Sequence, residues 1–439
     1  MSLRHRINSV FLPCSFSAFN KNNPNYVYLI QWILISIVIG SCIGSASAIF
    51  LHSLAWVTNY RSLHSEWIFL LPFAGLAIGY LYHYLGRGTE AGNNLIIDTI
   101  NHPKDIVPLK MAPLVFVGTL ITHLFGGSAG REGTALQMAG SIADQFSKPF
   151  RLSKEERKQL IIAAVAGGFG SVFGTPLAGT FFAMEFYRIG KINYSSLFPA
   201  LMTAIISHIV AGFWNAPHTH YSILHIPDVS LLTISYAVVA GIAFGLCARC
   251  FSFLLKKVTQ FFKHKIAYAP LRPFVGGCIV LFFIWSLDTT RYIGLGIPVI
   301  SESFVAQVPY YDFVFKMLLT LLTLSSGFKG GEVTPLFFIG ATLGNALSGI
   351  LPLPYDLLAG MGFVAVFAGA TNTPIACAIM AIELFGADAA VYLFVACAVS
   401  YYCSGNLSIY TQQIVGEPKH SFMAFMKGKT LHEINENTK

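Results

Sequence analysis

Apolar residues run along this chain in long blocks, roughly at 27–57, 67–86, 110–127, 135–146, 160–172, 175–189, 195–214, 229–256, 272–287, 296–308, 313–326, 335–350, 357–370, 373–386 and 389–410. None of Asp, Glu, Lys or Arg occurs from Asn22 to Tyr60, Tyr194 to Pro227, Leu357 to Ile382 or Ala389 to Gly416. Each of these stretches exceeds the roughly 20 residues a helix needs to cross a bilayer. The pattern predicts an all-α polytopic membrane protein. Several apolar blocks are too short to span, and many are broken by Gly or Pro. Broken helices leave backbone N–H groups without partners, which hydrocarbon tolerates only where they face protein, a cavity or a ligand. The first block exceeds the bilayer thickness and is expected to tilt.

An internal repeat organises these blocks. Gly92-Asn93-Asn94-Leu95-Ile96 has a counterpart in Gly294-Leu295-Gly296-Ile297-Pro298 at an offset of 202. Gly130-Arg131-Glu132-Gly133-Thr134 matches Gly330-Gly331-Glu332-Val333-Thr334 at 200. Gly174-Thr175-Pro176 matches Asn372-Thr373-Pro374, and Glu185 matches Glu383, both at 198. Two membrane halves follow, 27–226 and 227–416, flanked by a segment 1–26 and a polar tail 417–439, both expected in the cytoplasm. Duplicated halves with paired helix breaks mark a transporter or channel, with the site at their interface.

Composition and charge narrow the reading. Hydrophobic residues make up 54% and charged residues 11%, against about 25% charged in soluble domains. Soluble, secreted and disordered classes are excluded. The net charge of +8 is spread over short clusters: Arg4 and Arg6; Lys148, Arg151, Lys154, Arg157 and Lys158; Lys256, Lys257, Lys263 and Lys265; Lys419, Lys427 and Lys429. These read as cytoplasmic loops under the positive-inside rule rather than as a nucleic-acid surface. The segment Asn215–Pro227 has no Lys or Arg and is expected outside, with His218, His220 and His225 solvated on it. Loop 148–158 is basic whereas its mate 351–356 is not, which favours inverted halves. The eight cysteines form no framework, and the C-x-x-C of Cys247 and Cys250 stands alone at an expected helix end. Val10–Phe19 is short, broken by Pro13 and without a clear cleavage site, so no signal peptide is expected to be removed.

Two breaks carry candidate chemistry. A helix start presents free N–H groups and partial positive charge, and so binds anions. Gly130–Thr134 and Gly330–Pro335 each read as such a start, with glycines allowing close approach of backbone to ligand. Two facing starts could hold a bare anion weakly enough to release it. Packing glycines are the structural alternative. Glu132 sharpens the picture, because a carboxylate within the membrane is functional by default. Ionised, it can occupy the N–H groups that an anion wants; protonated, it leaves. That competition is the minimal physics of proton-coupled anion exchange.

The GREGT segment, the GGEVTP segment and the terminal Gly405-x-x-x-x-Tyr410 resemble the anion-site signatures of the CLC chloride channel and transporter family. The resemblance covers about 27–416. It implies a CLC-type fold of two inverted repeats with tilted and partial helices, and a homodimer with one pathway per subunit. It implies Glu132 as the gating glutamate, and Gly130, Arg131, Gly133, Val333, Thr334 and Tyr410 at the anion site. Three departures matter. Asn93 stands where chloride members have Ser, Thr334 lies within Gly331-Glu332-Val333-Thr334-Pro335 in place of G-x-F-x-P, and GREGT replaces GKEGP. Together they are similar to the fluoride-exporting branch, since a small, strongly hydrated anion needs extra donors. Glu185 is followed by Phe186, so the inner proton glutamate of chloride exchangers is absent, and Glu332 is the candidate second proton carrier. Glu185 and Glu383 read as a structural pair.

The implied function is export of fluoride against protons across a cytoplasmic membrane. A chloride/proton exchanger or chloride channel is the alternative. A membrane-embedded hydrolase would need a nucleophile–base pair, and Ser128 and Ser171 have no motif linking them to His123 or His208. No enzyme activity, cofactor or metal is expected. Tyr410 is followed by 29 residues, too few for the regulatory domain of long family members, so nucleotide control is not expected.

Overall fold

The computed structural model describes residues 24–436; the expectations for Arg4, Arg6, Val10–Phe19 and the chain ends lie outside them. Two series of eight helices follow one another. The first is α1 (Pro24–Leu63), α2 (Leu71–Leu85), α3 (Asn93–Asn101), α4 (Met111–Leu124), α5 (Glu132–Asp144), α6 (Lys154–Phe173), α7 (Pro176–Glu185) and α8 (Leu197–Phe213). The second is α9 (Leu231–Lys265), α10 (Leu271–Leu287), α11 (Ile297–Glu302), α12 (Asp312–Ser326), α13 (Val333–Leu347), α14 (Tyr355–Thr371), α15 (Pro374–Phe385) and α16 (Ala390–Cys403). Neighbours repeat as well: α1 packs on α8 as α9 does on α16, α5 on α6 as α13 on α14, and α2 and α7 meet their own mates α10 and α15.

Local sequence sets the helix ends. Ser153 and Ser230 form capping boxes that start α6 and α9. α6 stops at Gly174 and α14 at Asn372, both left-handed, and each chain restarts two residues on with Pro176 or Pro374 in the first turn. Among the described residues four helices, counting α1, α2 with its preceding turn, α8 with its preceding turn, and α9, are long and apolar enough to cross a membrane; most of the others are shorter, as broken spans must be. Large apolar side chains such as Ile30, Leu34 and Ile37 of α1 are exposed in a stripe, suited to lipid. α6 and α14 form the dry centre. At the α13–α14 crossing a Cβ on Gly340 would collide with the Gly362 carbonyl, and one on Gly344 with the Leu358 carbonyl, so only glycine permits this approach.

Inversion is visible in one exchange. The Glu185 carboxylate at the end of α7 accepts the N–H groups of Ile375 and Ala376 at the start of α15, at 3.4 and 2.9 Å. The Glu383 carboxylate at the end of α15 accepts those of Leu177 and Ala178 at the start of α7, at 2.9 and 2.7 Å. Each helix caps the other, which requires the two to run antiparallel.

The structure corrects several expectations. Lys256, Lys257, Lys263 and Lys265 lie on α9, not in a loop. Cys247 and Cys250 sit mid-helix on α9, one buried and one exposed, and every cysteine among the described residues is free. Arg157 is a buried clamp, holding Asp144 at 2.8 Å and the carbonyls of Lys104 and Asp105. The block 389–410 ends as a helix at Cys403, because Tyr410 belongs to a loop. α3 forms a helix in a stretch too polar to show as an apolar block. The tail is folded: β2 (Ile414–Val415) pairs in parallel with β1 (Arg188–Ile189), α17 (Leu431–Glu436) follows, and Lys419 is buried against the end of α16, donating to the Tyr401 carbonyl and the Ser404 hydroxyl.

Candidate functional site: a buried junction of helix starts

The glycine-rich breaks before α5 and α13 meet. Gly130 and Gly331 form an antiparallel bridge, exchanging N–H to carbonyl bonds of 2.6 and 2.8 Å. This fixes the true register of the repeat here. The helices start at Glu132 and Val333, 201 residues apart, so Glu332 is the counterpart of Arg131, not of Glu132. An offset of 200 aligned the two glutamates by identity alone.

Glu132 is 0% exposed. Its carboxylate does not stay on its own helix; it lies in the start of α13. Thr334 donates its N–H to Oε2 at 3.0 Å, and its hydroxyl lies 2.7 Å from each of the two oxygens. The Arg131 N–H adds a bond of 3.2 Å and the Arg131 guanidinium lies 3.5 Å away. The carboxylate thus fills a cradle whose donors and dipole suit any small anion.

On the other side of the bridge three elements converge on Gly133. A Cβ there would lie 2.9 Å from the Asn93 amide nitrogen and 3.5 Å from Glu332 Oε2. Gly133 is therefore a position that must stay bare. Asn93 opens α3 and is nearly buried. Glu332 is partly exposed as a residue, yet its Oε2 is buried without a partner. Asn93 Oδ1 and the Tyr410 hydroxyl are likewise buried without hydrogen-bond partners. Buried polar atoms are almost always satisfied; three orphans on residues of this junction mark a place for a polar guest. Val333 is buried in the first turn of α13.

Tyr410 reaches the junction from the loop after α16. Its phenol lies within electrostatic reach of both Glu332 and Glu132. Gln413 holds that loop, donating to the carbonyls of Phe186 and Thr371 at 2.6 and 2.7 Å and accepting from Asn372. Asn94 accepts the Gln412 N–H at 3.1 Å, tying α3 to the same loop. The Phe186 ring stands edge-on to Tyr410 at 6.0 Å, so an aromatic wall lies beside the phenol. Gln413 gave no sequence signal, since a lone Gln has no motif.

Beyond the Glu132 cradle lies a small cavity of about 20 Å³, room for one water. Arg131, Glu132 and Thr334 line it, together with Thr219 and Tyr221 from the segment between α8 and α9. That segment is solvated only in part: His220 and His225 are exposed, whereas His218, Thr219 and Tyr221 are half-buried. His218 bonds the Ser171 carbonyl at 2.9 Å, and Asp356 accepts from the backbone of Leu224 and His225 and from the His225 ring.

Inverted series of broken helices whose starts meet at one buried polar point define a membrane transporter of the CLC fold. The chain belongs to the voltage gated chloride channel family, whose model matches residues 74–405. It is 49% identical over 399 residues to a chloride/fluoride channel protein of Pseudomonas syringae pv. tomato, covering 90% of this chain and 88% of the relative. It is 27% identical to an H(+)/Cl(-) exchange transporter of Klebsiella pneumoniae, over 80% of each chain. The crystal structure of a CLC-type fluoride/proton antiporter superposes with a TM-score of 0.86 at 35% identity, covering 88% of this chain and 98% of that one. A slow cyanobacterial Cl-/H+ antiporter shares the fold at 20% identity and a TM-score of 0.77. The family is one of channels and transporters rather than of enzymes.

Proposed function

We propose that this chain is a fluoride/proton antiporter that uses the inward proton gradient to expel fluoride across the cytoplasmic membrane. The observation that carries the reading is the Glu132 carboxylate bonded to the Thr334 N–H and hydroxyl. A side-chain anion in a cradle built for anions is a competitor with a switch: a proton cancels its charge and frees the cradle. Glu132 is the gate. Gly130, Gly133 and Val333 supply bare backbone at the two starts, Arg131 supplies positive potential, and Asn93, Thr334 and Tyr410 supply side-chain donors.

Fluoride is favoured over chloride by donor density. Removing a small ion from water is costly unless donors replace its shell. The Asn93 amide and the Thr334 hydroxyl stand close to the junction, and the 49% identical relative is named for both anions. Phe186 beside Tyr410 removes the inner proton route of a chloride exchanger, and Glu332, with an unpartnered buried oxygen, takes that role. Two copies form a homodimer with a pathway in each, and both termini lie in the cytoplasm. The protein acts without catalytic chemistry or a cofactor. Purified protein in liposomes tests the reading: a fluoride gradient should drive proton movement, and a chloride gradient should drive much less. Equal proton movement by both anions would favour the chloride/proton exchanger.

A further inference from the structure

Resting on that antiport reading, the geometry points to a second berth for the gate. We infer that Thr219 and Tyr221 form the polar docking site that receives the protonated Glu132 side chain when it leaves the anion cradle, and that they pass the external proton to it.

The segment between α8 and α9 is a strap pinned on both sides of these residues. His218 is tied to the Ser171 carbonyl on one side. On the other, Leu224 and His225 are tied to Asp356, and the carbonyls of Pro227 and Asp228 accept from the Tyr392 hydroxyl at 3.1 and 3.0 Å. Between the pins, the Tyr221 ring is wedged by Phe304 at 5.3 Å and Phe363 at 5.4 Å. The stretch 219–221 is thus held fixed over the cavity that Glu132 itself lines.

Most of that cavity is apolar, and its wall includes Phe337 stacked on Phe363 at 4.0 Å. A carboxyl group that leaves Thr334 gives up its donors and would be buried unpaired, at a cost comparable to a lost hydrogen bond. Apart from Arg131 and Thr334, which belong to the cradle, Thr219 and Tyr221 supply the polar side chains facing the space. Thr219 and Tyr221 line the same cavity as Arg131 and Glu132. A phenol and a hydroxyl can each donate and accept, so the pair can serve a neutral carboxyl on both its oxygens. The cavity has room for one water. A proton from outside passes along the Tyr221 and Thr219 hydroxyls, each taking one proton and releasing another, to a Glu132 oxygen; the carboxylate becomes a carboxylic acid, loses its attraction for the start of α13, and swings onto the pair.

Tyr221→Phe and Thr219→Val test this in liposomes, with fluoride efflux and proton uptake recorded together and fluoride affinity measured by calorimetry on the purified protein. Tyr221→Phe keeps the ring packing, and gel filtration checks assembly; Thr219→Val tests the same pair from the other side. Each variant should slow coupled turnover about tenfold, the equivalent of one hydrogen bond, with fluoride affinity within twofold of wild type. Turnover within twofold of wild type in both variants would overturn the inference. So would a parallel loss of fluoride affinity, which would assign the pair to anion binding. The parent reading fails separately, and earlier, if the wild type moves no protons against fluoride.

Discussion

Replacing Glu132 by Gln probes the competition between gate and substrate. The amide is nearly isosteric with the carboxylate, so the packing of a fully buried side chain is kept. What changes is the strength of the bonds from Thr334, at 2.7 and 3.0 Å. Hydrogen bonds to a charged group contribute about 1.5–3 kcal/mol and neutral ones about 0.5–1.5 kcal/mol. Two such bonds weakened together release on the order of 2–3 kcal/mol of hold on the cradle. At about 1.4 kcal/mol per tenfold, the internal competitor becomes roughly 30- to 150-fold less effective. Loss of attraction to the Arg131 guanidinium at 3.5 Å acts in the same direction. Apparent fluoride affinity should therefore tighten by up to that factor, while proton movement stops because the amide cannot take up and release a proton. Calorimetric fluoride titration of purified protein reads the first effect, and a pH dye outside fluoride-loaded liposomes reads the second. Weaker fluoride binding in Glu132→Gln, or proton movement at the wild-type rate, would refute the reasoning.

Asn93→Ser removes an amide donor beside Gly133 and should lower the preference for fluoride over chloride about tenfold or more in competitive flux. Glu332→Gln should keep part of the fluoride flux and lose proton coupling; simultaneous fluoride and pH recording decides, and full coupling in the variant excludes a relay role. Glu185→Ala leaves the start of α15 uncapped and should cost about 1–2 kcal/mol, as should Glu383→Ala at α7; thermal unfolding in detergent reads both, and equal effects are expected because the two ends are capped alike. Burial pushes the Lys419 ammonium down to about 7 from 10.5. The docked tail therefore binds fewer protons than the free tail between about pH 7 and 10.5, so docking strengthens as pH rises through that window. Chymotrypsin should accordingly cut the tail more slowly at pH 9 than at pH 7, and Lys419→Met should remove the difference.

Hydropathy made the helices legible because most are apolar along their whole length, as α14 is from Leu357 to Ala370. α3 escaped because Asn93, Asn94 and Asp98 break its apolar pattern, although Ile96, Ile97 and Ile100 are buried. The repeat was legible from Gly, Pro and Glu, which must recur where backbone geometry recurs. Its register at the junction was off by one, because matching glutamates outweighed the Pro335 that aligns the helix starts. The Glu185–Glu383 exchange was readable as a pair, but not as mutual capping, which needs the antiparallel approach of α7 and α15. Glu132 stood out because a lone acid in an apolar, Gly-rich break has few structural uses. Thr219, Tyr221 and Gln413 were silent, since their roles come from long-range folding: a strap pinned by Asp356, and a loop tied to carbonyls 227 and 42 residues away.

The most direct test is proton movement by the wild-type protein in liposomes, driven in turn by equal outward gradients of fluoride and of chloride. An outward fluoride gradient should pull protons inward against no proton gradient of their own, with chloride at least tenfold less effective. Fluoride leaving with no accompanying proton uptake, or chloride driving protons as well as fluoride does, would contradict the account.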